Sequence, residues 1–352
     1  MKKLKLSKLI ASTLVIASIL ALNPIGANAE WRQNSNGWWY AEGSSWAIGE
    51  KQIDNHFYYF DASGYMETGW KKINGRWKYF DDNGCEKIGL IQYGDKTYCT
   101  GPNGYMITNT SAYDWYFDND GVGTKCINIG EFEIDKASGT IVSYKGNDTS
   151  LVIPSELEGI EIKRIGFSAF ANSDNLTSIT VPENITYIGF LTCKSLTSIN
   201  VDDNNKNYSS VDGVLFNKSK TALIKFPQVN KNTSYVIPDG VTSIGYGAFY
   251  GCSNLTSIAI PNSVTSISGW AFDDCKSLTS INIPDSVTSI KKGAFSGCNS
   301  VTNINISSGA INIENGAFEN YKNTKFNVKN EGIKQLLINS GVSENQIIVS
   351  SN

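Results

Sequence analysis

Residues 255–275 read LTSIAIPNSVTSISGWAFDDC, and nearly the same sentence begins again at Leu278 and, more loosely, at Val301. Ile-Pro falls at Ile237/Pro238, Ile260/Pro261 and Ile283/Pro284, and phenylalanine at Phe249, Phe272, Phe295 and Phe318, every step being 23 residues. A fixed step of this size marks an array of stacked supersecondary units. Within one copy, Ile258 and Ile260 alternate with Ser257 and Ala259, the period of a short strand with one buried face. Pro261 cannot donate to a ladder, so the strand stops there and the chain turns outward. Val264, Ile267 and the Ala271-Phe272 step bring it back inward. The same strand pattern starts again at Leu176, Leu196, Leu278 and Val301. One copy exposes too much apolar surface to fold alone, so the copies stack and their strands form a parallel sheet.

Residues 1–29 have the make-up of a secretory signal peptide. Lys2, Lys3, Lys5 and Lys8 precede an apolar run from Leu9 to Leu22, and Ala27-Asn28-Ala29 supplies an A-x-A cleavage site. The expected location is secreted, at the cell wall or cell surface. Loss of the leader removes four lysines and no acid, leaving 26 basic against 33 acidic side chains, a formal net charge of −7. That balance argues against a nucleic-acid partner. No later segment is apolar and long enough for a spanning helix.

From Glu30 to about Cys126 the composition changes, and seven of the eight tryptophans fall there. Phe60-Asp61, Gly64 and Gly69-Trp70 are answered twenty residues later by Phe80-Asp81, Gly84 and Gly89-Leu90. In each copy an aromatic strand such as Phe57 to Phe60 runs into Asp-x-x-Gly, so the unit is a short β-hairpin with a connecting loop. Hairpins this small are marginal alone and must stack. The fold class is therefore mostly β: a stack of hairpins over 30–126, then a solenoid over 151–352. Residues 127–150 carry a further hairpin around Ala137-Ser138-Gly139, read as the cap of the solenoid. Residues 202–236 interrupt the step with an inserted hairpin, and GIKQLLINSG reads as a short C-terminal helix before a last strand, QIIVS.

The stretch AFYGCSNLTSIAIPNSVTSI resembles the BspA-like leucine-rich repeats of bacterial surface proteins, from about Leu151 to the C-terminus. The stretches GWWYAEGSSW, NHFYYFDASGYMETGW and NGRWKYFDDNGCEKIGL resemble the cell-wall or choline-binding repeats of Gram-positive surface proteins. Those repeats are related to the carbohydrate-binding repeats of large clostridial toxins. In the choline-binding members a quaternary ammonium sits between two aromatics at i and i+2 of one hairpin and the Trp of the following Gly-Trp, often with a methionine nearby. The resemblance thus implies two three-sided cages, Trp38/Tyr40/Trp46 and Phe57/Tyr59/Trp70, with Met66 close to the second. Ring faces attract a diffuse cation without a paired carboxylate. The third copy keeps Trp77 and Tyr79 but has Leu90 where the Trp is expected, so these two are weaker candidates. The alternative is that the rings only pack hairpin on hairpin.

Cys252, Cys275 and Cys298 keep the 23-residue step, and Cys193 takes the matching place in a shortened copy, so they form an inward column that packs as small reduced thiols. The pairing of Cys85, Cys99 and Cys126 does not follow from the sequence. The only histidine, His56, lies in the aromatic repeats, so no Cys-His or Ser-His pair arises in the solenoid, and no glycine-rich phosphate loop follows a strand. The chain is expected to be a non-catalytic binding protein without cofactor or metal. Its expected partners are choline-bearing teichoic acid or another wall polysaccharide for the aromatic repeats, and a host or matrix protein for the solenoid. The alternatives are a secreted carbohydrate-binding protein and a self-associating structural component. On the strand face, Ser178/Thr180, Ser198/Asn200, Ser257/Ala259, Ser280/Asn282 and Asn303/Asn305 are expected outward, while Tyr246, Tyr250 and Trp270 mark an aromatic turn surface.

Overall fold

The computed structural model describes residues 29–350 apart from 308, 310, 311, 320 and 322. The leader read over residues 1–29 lies, but for Ala29, outside them. The described chain is mostly β, with one α-helix, Glu331–Asn339. No helix among the described residues is long and apolar enough to cross a membrane. Two compact units are present, one running through Gly89 and taking in Thr100–Met106, the other formed by Leu90–Cys99 and Ile107 onward.

In the second unit each regular coil gives one strand to each of two parallel ladders. In the first, Ser234–Val236 pairs with Ser257–Ala259, and Ser280–Ile283, Asn303–Ile306, Lys325–Val328 and Ile347–Val349 follow one another. The second runs Ser243–Ile244, Ser266–Ile267, Ser289–Ile290 and Asn312–Ile313, isoleucine over isoleucine. Proline limits the first strand as the sequence predicts: the Val264 N–H donates back to the Pro261 carbonyl at 3.1 Å, closing a turn. At the third corner the phenylalanines stack, Phe249 on Phe272 at 4.8 Å and Phe272 on Phe295 at 5.1 Å, with ring planes 10° and 2° apart. Ring spacing therefore matches the roughly 4.7–4.9 Å between neighbouring strands.

Threonine ties coil to coil. The Thr256 hydroxyl donates to the Thr233 carbonyl at 2.9 Å and that of Thr279 to Thr256 at 3.3 Å. A second column links Thr242, Thr265 and Thr288 in the same way, at 3.1 to 3.2 Å. Each bond adds about 1 kcal/mol and fixes the register of the corner at which the strand begins. The outward residues Ser257, Ala259, Ser280, Asn282, Asn303 and Asn305 are exposed, and Asn327 donates to Asn305 at 2.8 Å along the face.

Irregular coils enter by one device. Ile127–Ile129, Phe132–Asp135 and Thr140–Tyr144 run antiparallel, and the last of them then pairs in parallel with Arg164–Ile165. Tyr208–Val211, Val214–Asn217 and Ala222–Lys225 repeat this, Ala222–Lys225 pairing in parallel with Ser243–Ile244. Asn205 secures the second case from a fully buried position. Its amide donates to the carbonyls of Pro182 and Ile185, and its oxygen accepts from the N–H groups of Asn207 and Tyr208, all at 2.8 to 3.1 Å. At the C-terminal end Asn330 caps the helix by accepting from the Ile333 N–H at 2.9 Å, while Ile333 and Leu337 enter the core.

Cys193, Cys252, Cys275 and Cys298 are buried and carry no disulfide. Cys275 donates to the Phe249 carbonyl and Cys298 to the Phe272 carbonyl, each at 3.1 Å. Burial pushes the thiols of Cys193 and Cys275 above the usual cysteine range. These four thiols should react with a maleimide only after denaturation, in the absence of reductant. Mass spectrometry of native and unfolded protein checks this, and native oxidation of any pair would refute the packing role.

Candidate functional site

The hairpins of the first unit repeat at a 20-residue step enforced at one corner. Asp61 Oδ1 accepts from the N–H groups of Ser63 and Tyr65, and Asp81 Oδ1 from those of Asn83 and Cys85, at 2.8 to 3.0 Å. Each turn ends in a glycine of positive φ, Gly64 at 87° and Gly84 at 77°. The side chain of the preceding copy lies directly on that glycine. A Cβ on Gly64 would stand 2.0 Å from the Trp46 ring, and one on Gly84 2.2 Å from Met66 Sδ. Glu86 lies on Gly104 in the same manner. Trp46, Met66 and Glu86 thus hold equivalent places in successive copies.

Strand pairing decides which rings share a face. Trp31 is opposite Tyr40 and Gln33 opposite Trp38, so Trp31, Trp38 and Tyr40 leave the first hairpin on one side. From the second hairpin Tyr58 meets them: its ring centroid is 4.8 Å from that of Trp31, edge to face, and Trp31 lies 5.3 Å from Tyr40. Trp31, Trp38, Tyr58 and Met66 line an open cavity of about 610 Å³, with Gln33, Asp82 and Asn83 at its polar rim. Tyr40 stands behind Trp31 in a small core with Ala47, Ile53 and Phe60. Burial, and next the contact with the Cys85 sulfur at 3.3 Å, hold the Tyr58 phenol above the usual tyrosine range. Trp38 keeps 41% of its surface exposed, so one wall faces solvent. The cavity has the chemistry of a cation cage, with ring faces, a thioether and few donors.

Of the residues implied by resemblance, the structure brings Trp38 and Met66 to this cavity and Tyr40 to its rear. It does not bring Trp46 there. Trp46 pairs with Ala41, so its ring leaves the opposite face and covers Gly64. Tyr59 packs on Phe80 at 6.0 Å, and Trp70 lies edge-on to Tyr79 of its own hairpin at 5.1 Å. Trp77 is exposed, with the Lys72 ammonium 5.8 Å from its ring. Trp31 and Tyr58 were not singled out from the sequence. The signal that finds them is cross-strand pairing, which sets Trp31 against Tyr40, and strand parity, which puts Tyr58 on the other face from Phe57 and Tyr59.

One copy further on, the position is filled by the chain itself. Glu50, Phe57, Lys78 and Glu86 occupy the places of Trp31, Trp38, Tyr58 and Met66. The Lys78 ammonium lies 5.7 Å from the Phe57 ring and 4.9 Å from that of Tyr105. It is 6% exposed and forms ion pairs with Glu50 and, at 2.8 Å, with Glu86. Burial alone lowers a lysine pKa, but the two carboxylates outweigh it and hold Lys78 above its ordinary value. Phe57 therefore faces an internal cation. In the following copy Trp70 and Trp77 return on one face, and the Met106 N–H donates to the Trp77 carbonyl at 2.7 Å.

A model of the choline-binding repeat matches residues 47–86. None of the curated proteins matches the chain. Among solved structures, a leucine-rich repeat protein from Eubacterium ventriosum is 27% identical over 51% of this chain and 47% of its own, with a TM-score of 0.46. Choline binding protein F from Streptococcus pneumoniae is 26% identical over 28% of this chain and 34% of its own, with a TM-score of 0.26. A pneumococcal cell wall endolysin from phage Cp-1, complexed with choline, is 27% identical over 34% and 38%, with a TM-score of 0.27. The chain spans less than half the length of each of these three. The model of the BspA type leucine-rich repeat region matches six copies, over residues 135–235 and 225–339, more than half of the sequence. Those residues hold the paired ladders, the phenylalanine stack and the buried cysteines, and the chain belongs to the BspA-type leucine-rich repeat family.

Proposed function

We propose that this is a non-catalytic secreted protein retained at the cell wall through quaternary ammonium groups of a wall polymer, choline foremost, and that its solenoid serves a protein partner. The observation that carries the reading is the cavity of Trp31, Trp38, Tyr58 and Met66. The match of the choline-binding repeat model to residues 47–86 supports it. A trimethylammonium group offers no hydrogen-bond donor, so it gains most from ring faces and loses least by leaving water there. Three rings at about 0.5–2 kcal/mol each give an affinity in the millimolar range. One such site binds weakly, and firm retention on a wall needs several linked sites. The residues assigned to the ligand are Trp31, Trp38, Tyr58 and Met66. Trp46, Tyr59 and Tyr40 hold the hairpins together.

Choline should quench tryptophan fluorescence of the full chain with a millimolar Kd, and Trp31→Ala/Trp38→Ala should weaken that site at least tenfold while Trp46→Phe leaves it within twofold. Quenching by a neutral sugar but not by choline would favour the toxin-like reading. A second expectation concerns the copy that carries its own cation. Glu50→Trp/Lys78→Tyr/Glu86→Met should add one choline per chain in a calorimetric titration, whereas the parent position takes none. An unchanged stoichiometry in a folded triple variant would refute the role given to Lys78.

A further inference from the structure

The solenoid contains coils whose third corner is too short, among them the coil that carries Lys225. Ile244 and Phe249 are five residues apart, as are Ile267 and Phe272, but Leu223 and Phe226 are only three apart. Both ends of the short segment are pinned, since Leu223 pairs with Ile244 and Phe226 stacks on Phe249 at 5.1 Å. Ile224 and Lys225 must therefore span what Gly245 to Ala248 span in the next coil. The shortage leaves a hollow of about 340 Å³, walled by Phe167, Tyr187, Phe190, Ile224 and Tyr246 and reached by Lys225.

Among the described residues Lys225 is the only charged one lining this hollow, and no carboxylate lines it. Its side chain is 3% exposed. The ammonium donates to the Gly247 carbonyl at 3.1 Å and lies 5.1 Å from the Phe190 ring and 5.9 Å from that of Tyr250. An ammonium has three donors, and the one carbonyl engages one of them. The ionisable groups acting on it are the thiols of Cys193, Cys252 and Cys275, and burial pulls its pKa down to about 8. A buried charge without a counter-ion is costly, and sequences place one in an apolar corner only against that cost. Outside the lining, the Arg164 guanidinium lies 4.1 Å from the Tyr187 ring.

We propose that this pocket binds a small organic anion, a carboxylate borne on an aromatic or aliphatic body, with Lys225 as its counter-ion. The carboxylate takes the two remaining ammonium donors, and the body lies among Phe167, Phe190 and Tyr246. Phe167 and Tyr246 are exposed at the mouth, which leaves an entry path. The site is formed within the solenoid and is independent of the cation cage.

Calorimetric titration of the full chain with phenylacetate and with its neutral twin phenylacetamide, in excess choline, tests the assignment. Phenylacetate should bind one site at least tenfold more tightly than the amide. Lys225→Met should abolish that preference without lowering the melting temperature, because it removes an uncompensated buried charge. Tyr246→Ala should weaken both ligands by a similar factor. Equal binding of acid and amide, unchanged acid binding in folded Lys225→Met, or no binding of either at millimolar concentration would each overturn the proposal.

Discussion

The spacing of parallel strands is the constraint on which the solenoid depends. Hydrogen bonds between coils fix a rise of roughly 4.8 Å, and every other part of a coil must keep that pitch. Phenyl rings keep it by lying flat on one another, threonine hydroxyls by reaching one carbonyl down, and cysteine thiols by donating to the carbonyls of the phenylalanine corner. Such a stack absorbs irregularity poorly, because both ladders and the ring column hold a coil at three corners. Extra residues leave as an antiparallel hairpin, as at Tyr208–Asn217, and missing residues leave a hollow, as beside Lys225. The coil that carries the inserted hairpin is thus also the one that brings Lys225 to the pocket.

In the hairpin array the same logic acts through strand parity. Glycine at the turn lets the side chain of the previous copy lie flat on the backbone, which fixes how successive hairpins meet. A cage then needs two rings from facing strands of one hairpin and one ring of the right parity from the next. Trp31, Trp38 and Tyr58 satisfy this, and Phe57 and Tyr59 miss it by one residue. Glu50, Lys78 and Glu86 in the places of Trp31, Tyr58 and Met66, with Phe57 in that of Trp38, keep the geometry and turn the proposed ligand site into an internal ion cluster. Cage chemistry and structural chemistry are thus two uses of one position, separated by four substitutions, one of them ring for ring.

Much of the solenoid was legible because its signal is redundant. Six copies of one sentence state which residues are buried, and Pro261, Phe272 and Cys275 each appear at a fixed step. The role of the threonines was not legible, since a Thr before a strand is compatible with any half-exposed edge, and only the coil-to-coil bond gives it a task. The cage was half legible. Aromatic spacing along one strand pointed to Trp38 and the methionine, but an i and i+2 rule says nothing of the facing strand, where Trp31 lies. Trp46 follows Ser45 and not a glycine, and its turn position makes it the counterpart of Met66. Lys225 carried no sequence signal except the three-residue interval between Leu223 and Phe226.

The central claim is that ring parity across two hairpins selects where a quaternary ammonium binds. A crystal structure of the full chain soaked with choline tests it most directly. The account predicts a choline nitrogen enclosed by Trp31, Trp38 and Tyr58 beside Met66, and the Lys78 ammonium still seated between Glu50 and Glu86. Choline enclosed by Trp46 with Trp38 and Tyr40, or bound beside Phe57 with Lys78 displaced, would contradict it.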